Sequence, residues 1–223
     1  MIELYYSAMS PNSRRVWVAL LEKNLEFQLM PLKLNGDQFQ PDFLSINPFH
    51  EIPVLVDNGF KVVESLAILD YLEVKYPAYA LLPNAPKDLA IVKMVEMVTA
   101  NKLLPEIIRL FTVSLGLTAL NPEQIDQVKQ KILTILQFFE SLLDNRPYFG
   151  SENITLAEAV AGTVVPFLPL VGVPLNDYQK LNAWVDRLKQ RPAWIKTQYT
   201  PEQLEDLKTR TIANYTAAKS HQN

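Results

Sequence analysis

Cysteine is absent from all 223 residues of this chain. Its absence excludes disulfides, thiolate metal ligands, protein-based thiol–disulfide exchange and a cysteine nucleophile. Histidine is nearly absent too: only His50 and His221 occur, too few for a histidine-rich site, and no metal is expected. Neither sign of charge is in large excess. The 21 Lys and Arg against 24 Asp and Glu leave a net charge of −3, which gives no reason to expect nucleic acid or a membrane surface as partner. No uncharged apolar run approaches the roughly 20 residues of a membrane span. Met1-Ile2-Glu3-Leu4 carries neither a basic leader nor an apolar signal core, so the expected compartment is the cytoplasm. A thiol handled by this protein would have to belong to a ligand.

What is present is ordinary globular material, 48% hydrophobic and 20% charged, and the length allows one large domain or two small ones. The rhythm changes partway along. Residues 1–77 mix strands and helices: a strand at Ile2–Tyr6, a helix over 11–23 with Ser10 as N-cap, a strand over 26–30 and a short helix over 39–44. Strands over 54–56 and 61–63 flank Asn58-Gly59, a type I′ hairpin signal, and a helix over 64–76 closes the unit. The order βαβ, α, ββα matches a thioredoxin-like domain. In the first helix, Val16, Trp17, Leu20 and Leu21 form the expected apolar stripe, with Arg14-Arg15 on a solvated face or reaching a salt bridge to the helical half.

Residues 87–223 read as an all-helical domain. Ile125, Val128, Ile132, Ile135, Leu136, Phe139 and Leu143 recur at helical spacing. Pro105 is placed to kink or end the first long helix. Thr155-Leu156-Ala157-Glu158 is a capping box opening a central buried helix expected to run through Val164, Val165 and Phe167. A bundle helix should stop, and a short one begin, at Arg191-Pro192. The sequence leaves 200–223 undecided between a helix over the site and a loose tail.

The densest signal is Asn47-Pro48-Phe49-His50-Glu51-Ile52-Pro53-Val54-Leu55-Val56-Asp57, followed by Glu64-Ser65. Ile-Pro entering a strand is a candidate cis bond, since proline reduces the trans preference to under about 1 kcal/mol. Such a bond turns the Ile52 N–H and C=O outward, where an extended peptide can pair with them. Glu64-Ser65 opens an apolar helix whose free N–H groups favour an anion such as a carboxylate. A peptide-pairing edge beside a carboxylate socket suits a small acidic peptide.

Tyr5-Tyr6-Ser7-Ala8-Met9-Ser10-Pro11-Asn12-Ser13-Arg14-Arg15-Val16 resembles the first strand and helix of the serine-type soluble glutathione transferases. Asn47-Pro48-Phe49-His50-Glu51-Ile52-Pro53 is similar to the variant in delta- and theta-like members, and a phi-like class fits equally. Val56-Asp57-Asn58-Gly59-Phe60, Glu64-Ser65 and Ile68-Leu69-Asp70-Tyr71-Leu72 continue the likeness, and Ile154 with the capping box resembles the C-terminal folding motif. The resemblance covers nearly the whole chain. It implies a two-domain α+β fold, with a thioredoxin-like glutathione-binding domain over 1–77 and an all-helical domain over 87–223 contributing the electrophile pocket.

The same resemblance implies glutathione as co-substrate, without a metal, and a small electrophilic substrate. Contacts to glutathione fall on Gln38, His50, Glu51, Ile52, Pro53, Glu64 and Ser65. Ile52 would pair with the cysteinyl unit, Ser65 would hold the γ-glutamyl carboxylate, Glu64 its ammonium, and His50 the glycyl carboxylate. Ser10 would donate to the sulfur as the catalytic residue, with Tyr5 the runner-up. Met94, Met97 and Asn101 could line the acceptor pocket or be core. Departures are Leu66, where many relatives carry Arg, and Gln38-Phe39, where relatives often place His or Lys. A homodimer is implied. Glutathione-dependent peroxide reduction is a related activity, and a non-catalytic binding or scaffold module is the alternative from another class.

Overall fold

The computed structural model describes residues 1–220. Strand β1 (Ile2–Tyr6) follows its alternation: Ile2 and Leu4 are buried on one face, while Glu3 and Tyr5 are half-buried on the other. It lies inside a four-stranded sheet of order β2-β1-β3-β4. Strand β2 (Phe27–Pro31) runs parallel to β1, β3 (Val54–Asp57) antiparallel to it, and β4 (Phe60–Val63) antiparallel to β3. Asn58 and Gly59, at φ of 48° and 87°, make the hairpin turn expected from their dipeptide. The second strand lies one residue later than expected, because Pro31 pairs with Tyr6 and an edge strand tolerates proline. The short helix expected over 39–44 divides into a 3₁₀ turn at Asp37–Phe39 and α2 (Pro41–Leu44), with Pro41 at the first helical position.

Helix α1 (Pro11–Glu22) packs against α3 (Ser65–Lys75) and against the helical half. The expected stripe packs on the core, with Val16 and Leu20 buried and Trp17 and Leu21 half-buried against it, and Val18 and Ala19 are buried as well. One expectation fails here: Arg14 and Arg15 are not solvated but buried. The reason is tertiary: α3 covers one side of α1, while helices α7 (Leu156–Ala161) and α9 (Pro192–Lys196) cover another.

In the helical half, α4 (Pro86–Val98) passes through a π-helical turn at Thr99–Leu103 into α5 (Leu104–Ser114). The wide turn sits just before Pro105, whose ring would clash with a carbonyl of an ordinary preceding turn. Helix α6 (Pro122–Leu142) opens with a capping box of Asn121 and Gln124 and buries Val128, Ile132, Ile135, Leu136 and Phe139. All six residues of α7 are buried, as expected of a central helix, but it stops at Ala161 rather than running through Phe167. A 3₁₀ segment, Val165–Val171, follows, because Pro166 and Pro169 lack the N–H that an α-helical ladder needs.

Helix α8 (Gln179–Lys189) sends Leu188 against Gly162, the residue that caps α7, where a Cβ would come within 2.5 Å of a Leu188 methyl carbon. It ends before Arg191-Pro192, and α9 starts there as expected. The undecided terminal stretch forms α10 (Pro201–Ser220), and His221 lies outside the described residues. Among the described residues no helix is long and apolar enough to cross a membrane.

Candidate active site

Strand register gathers most of the candidate residues at one end of the sheet. Tyr5 pairs with Val54, Val54 with Val63, and Tyr6 with Pro31. The chain leaving β1 toward Ser10, the chain entering β3 through Ile52-Pro53, and the chain leaving β4 into Glu64-Ser65 therefore meet along one edge. The loop after β2, which carries Gln38, leaves from the same end.

Ser10 caps α1. Its Oγ accepts from the Ser13 N–H at 3.2 Å, and its own N–H donates to the Ser7 carbonyl at 3.1 Å. Buried Ser13 accepts from the Ser7 N–H at 3.3 Å, which stitches the turn from strand to helix. A hydroxyl has one proton and two lone pairs, so capping uses a lone pair and leaves the proton free to be donated. The two roles read for Ser10 are compatible. Tyr5 is differently placed: its hydroxyl donates to Glu3 Oε2 at 3.3 Å, and its ring lies 6.2 Å from Phe43 of α2. Burial, together with the charge and hydrogen bond of Glu3, raises its pKa. Its neighbour Tyr6 is the one that meets α1, at Trp17.

The Ile52–Pro53 peptide is cis. Neither the N–H nor the C=O of Ile52 takes a partner among the described residues. Asn47, buried in the loop, shapes its approach: its Nδ2 donates to the Glu51 carbonyl at 2.8 Å, and its Oδ1 accepts from the Phe49 N–H at 3.0 Å. His50 and Glu51 are exposed, and Pro53 is buried. His50 has a positive φ of 60°, and its ring stands 5.1 Å from that of Phe39. Gln38 is tied into its own loop, with Oε1 accepting from the Gly36 N–H at 3.1 Å.

Glu64 precedes α3 at φ 67° and ψ 115°, a backbone state that costs a non-glycine residue on the order of 1–3 kcal/mol. No side chain caps this helix, so the first N–H groups of α3 remain available to an anion. Ser65 is buried, and its Oγ accepts from Arg15 Nη1 at 3.3 Å. Arg15 is fully enclosed, and its Nε and Nη2 have no hydrogen-bond partner. Burial lowers its pKa to about 10, against the pull of Glu96. Glu96, on α4, is pushed up to about 7 by burial, against the charge and hydrogen bond of Lys93, whose Nζ lies 3.2 Å away.

Sequence reasoning missed Arg15 as part of this neighbourhood. A signal was present: residues 16–21 are apolar on every side of the helix, which marks a helix buried all round and argues against solvating its arginines. One turn on from Ser10, Arg14 donates from Nε to Thr197 Oγ1 at 3.2 Å and stacks over the Tyr199 ring at 5.0 Å. It borders a cleft of about 220 Å³ whose walls include Phe167, Leu170, Trp194 and Leu204. Met94, Met97 and Asn101 do not belong to that cleft and are exposed on α4 and the π turn.

Residues 4–81 match the family model described as glutathione S-transferase, N-terminal domain, and residues 103–192 match the model of the C-terminal domain. A glutathione S-transferase of Hyoscyamus muticus is 30% identical over 205 residues, spanning 87% of this chain and 96% of that protein. Glutathione S-transferase F14 of Arabidopsis thaliana is 32% identical over 205 residues, spanning 83% and 78% respectively. Among solved structures, glutathione transferase F7 of Populus trichocarpa superposes with a TM-score of 0.76 at 28% identity, covering 88% of this chain and 97% of that one.

Proposed function

Because the chain belongs to the glutathione S-transferase family, we propose that it ionises the thiol of glutathione at Ser10 and joins it to small electrophiles. The observation that carries this reading is the unpaired backbone of Ile52, set at the sheet end between two helix N-termini. A tripeptide with a central thiol and two terminal carboxylates fits that edge. The cysteinyl backbone pairs with Ile52, the γ-glutamyl carboxylate meets the uncapped start of α3 and Ser65, and the thiol faces Ser10. Glu64, beside Ser65, draws the γ-glutamyl ammonium. His50 and Gln38, at the other side, serve the glycyl end, with Glu51 and Pro53 framing it. The class is roughly phi-like, in keeping with the F-series plant relatives.

Thiol activation needs no metal in this scheme. A cysteinyl thiol has a pKa near 8.5, and lowering it by about two units requires only about 2.7 kcal/mol. A hydrogen bond to a charged acceptor contributes roughly 1.5–3 kcal/mol, and the positive end of α1 adds to it. With an aryl halide as acceptor, a sulfur–carbon bond forms, the carbon–halogen bond breaks, and the halide leaves with the bonding pair. The thiol proton goes to solvent. The apolar cleft bordered by Arg14 and the helical half is a candidate place for the electrophile's apolar body.

We take 1–77 as the glutathione-binding domain and 87–223 as the helical domain that completes the electrophile site. Exposed Phe49, Phe60, Met94 and Met97 supply apolar surface for a homodimer, and the cytoplasm is the expected compartment. Retention on immobilised glutathione followed by conjugation to a generic aryl halide tests the assignment. A protein that neither binds the resin nor forms the conjugate would return the fold to its scaffold role.

A further inference from the structure

We propose that this chain reads the glycyl end of its thiol co-substrate as a neutral group laid against Phe39. It then accepts γ-glutamylcysteinyl peptides whose C-terminus is esterified, amidated or extended by an apolar residue at least as well as glutathione. The inference rests on the binding mode above and names the co-substrate class for it. A peptide that pairs with Ile52 and sends its γ-glutamyl end to α3 lays its other end along the residues before Ile52 and the loop after β2. Those residues decide how a C-terminal carboxylate is met.

Their charge does not suit one. Residues 34–60 contain no lysine or arginine, while Asp37, Asp42 and Glu51 are acidic. Glu51, next to Ile52, is exposed: its carbonyl accepts from Asn47, but its carboxylate takes no partner among the described residues. The cations bordering the loop are Lys33, which opens it, and Arg210 of α10. Arg210 donates to the Lys33 carbonyl and is already paired with Asp206 at 2.7 Å. Gln38 uses its side-chain carbonyl on the Gly36 N–H, which leaves an amide donor. An ester or amide carbonyl accepts from such a donor as a carboxylate does, yet carries no charge to be repelled by Glu51. What this end offers in place of a cation is an aromatic face. Phe39 is 58% exposed, and its ring stands 5.1 Å from that of His50, so the pair joins the two loops between which the peptide's end lies. An apolar group laid on that face leaves water, which a free carboxylate there cannot do without losing its hydration.

Conjugation to one aryl halide is measured with glutathione, its glycyl ethyl ester and γ-glutamylcysteinylphenylalanine amide. The KM for the ester and the amide should equal or fall below that for glutathione, with kcat nearly unchanged, because the altered end is remote from the sulfur. Phe39→Lys puts a cation in place of the ring at an exposed position. It should lower the KM for glutathione by about two- to five-fold, the range of an exposed ion pair, and raise that for the amide. Glu51→Gln should lower the KM for glutathione and leave that for the ester in place. In the parent, an ester KM about ten-fold above that of glutathione overturns the proposal. It is overturned equally if Phe39→Lys moves none of the three KM values; a halved mass in light scattering would then assign the ring to a subunit contact. Ser65→Ala reports on the binding mode itself. An unaltered KM for all three thiols means that the mode fails, whereas a KM raised for all three beside a penalty on the ester keeps the mode and removes only the neutral end.

Discussion

The indole N–H of Trp184 donates to Glu158 Oε1 at 3.0 Å inside the helical half. The same carboxylate accepts from the Phe149 N–H at 2.9 Å, the Thr155 N–H at 2.9 Å and the Thr155 hydroxyl at 2.6 Å. Glu158 thus does more than close a capping box: it ties the start of α7 to α8 and to the loop before it. Burial raises its pKa, with those donors opposing.

Replacing Glu158 by Ala should leave buried donors on Phe149, Thr155 and Trp184 without an acceptor. Each costs about 1–3 kcal/mol, so the loss should exceed about 4 kcal/mol, or about 10 °C in Tm for a chain of this size. Thr155→Ala, which removes only the cap, should cost about 1 kcal/mol. Equal melting temperatures for the two variants would show that the inter-helix bonds contribute nothing.

Ser10→Ala should lower kcat by about ten-fold or more, at about 1.4 kcal/mol per factor of ten, while glutathione KM changes little. The same change removes an N-cap and should cost about 1 kcal/mol of stability. Ser10→Asp separates the roles, because aspartate caps a helix as well as serine does but has no proton to donate to the sulfur. It should keep the Tm and lose the turnover. If Tyr5→Phe loses turnover and Ser10→Ala keeps it, the serine-type assignment is wrong.

How far the sequence carried can be traced residue by residue. The hairpin at Asn58-Gly59, the Ile52–Pro53 turn and the caps at Ser10 and Thr155 are local events, decided by residues adjacent in the chain, and all four were legible. The failures share a different origin. Arg14 and Arg15 look solvated from their charge, and only the packing of α3, α7 and α9 around α1 makes them core. The early end of α7 was partly legible in Pro166 and Pro169, but a run of apolar residues masked it. The Arg15–Ser65 contact joins residues 50 apart and depends on how α1 lies on α3, which no local pattern states.

Glu96→Gln should change the pH dependence of stability. The folded carboxyl titrates near 7, above its ordinary value of 4.5, so between those values the folded state holds the extra proton. Stability from this group is therefore full below about 4.5 and is lost as pH rises through about 7. The glutamine mimics the protonated form. It should match the parent at pH 5 and exceed it at pH 8, by at most about 3 kcal/mol. Parallel melting curves for the two proteins from pH 5 to 8 would remove Glu96 as a source of pH dependence.

Light scattering at micromolar concentration should give about twice the 25.4 kDa chain mass, as expected for an isologous dimer. Replacing exposed Phe49 and Phe60 by Asp should shift the protein toward the single-chain mass without unfolding it. A parent that runs as a stable monomer and still conjugates glutathione contradicts the dimer.

Ser65→Ala should behave differently from Ser10→Ala, because in the proposed binding mode the two hydroxyls act on opposite ends of the γ-glutamylcysteinyl unit. Removing the Ser65 hydroxyl takes away one donor to the γ-glutamyl carboxylate, while the uncapped N–H groups of α3 and the helix dipole remain. A charge-assisted bond of roughly 1.5–3 kcal/mol corresponds to about a ten- to hundred-fold loss of affinity. The carboxylate is remote from the sulfur, so the loss should appear as a higher KM for glutathione with turnover nearly kept. The substitution also strips Arg15 of its hydrogen-bond acceptor, so a modest fall in Tm should accompany the rise in KM. A lowered Tm beside an unchanged KM would mean that Ser65 serves Arg15 alone and that the peptide lies in another groove.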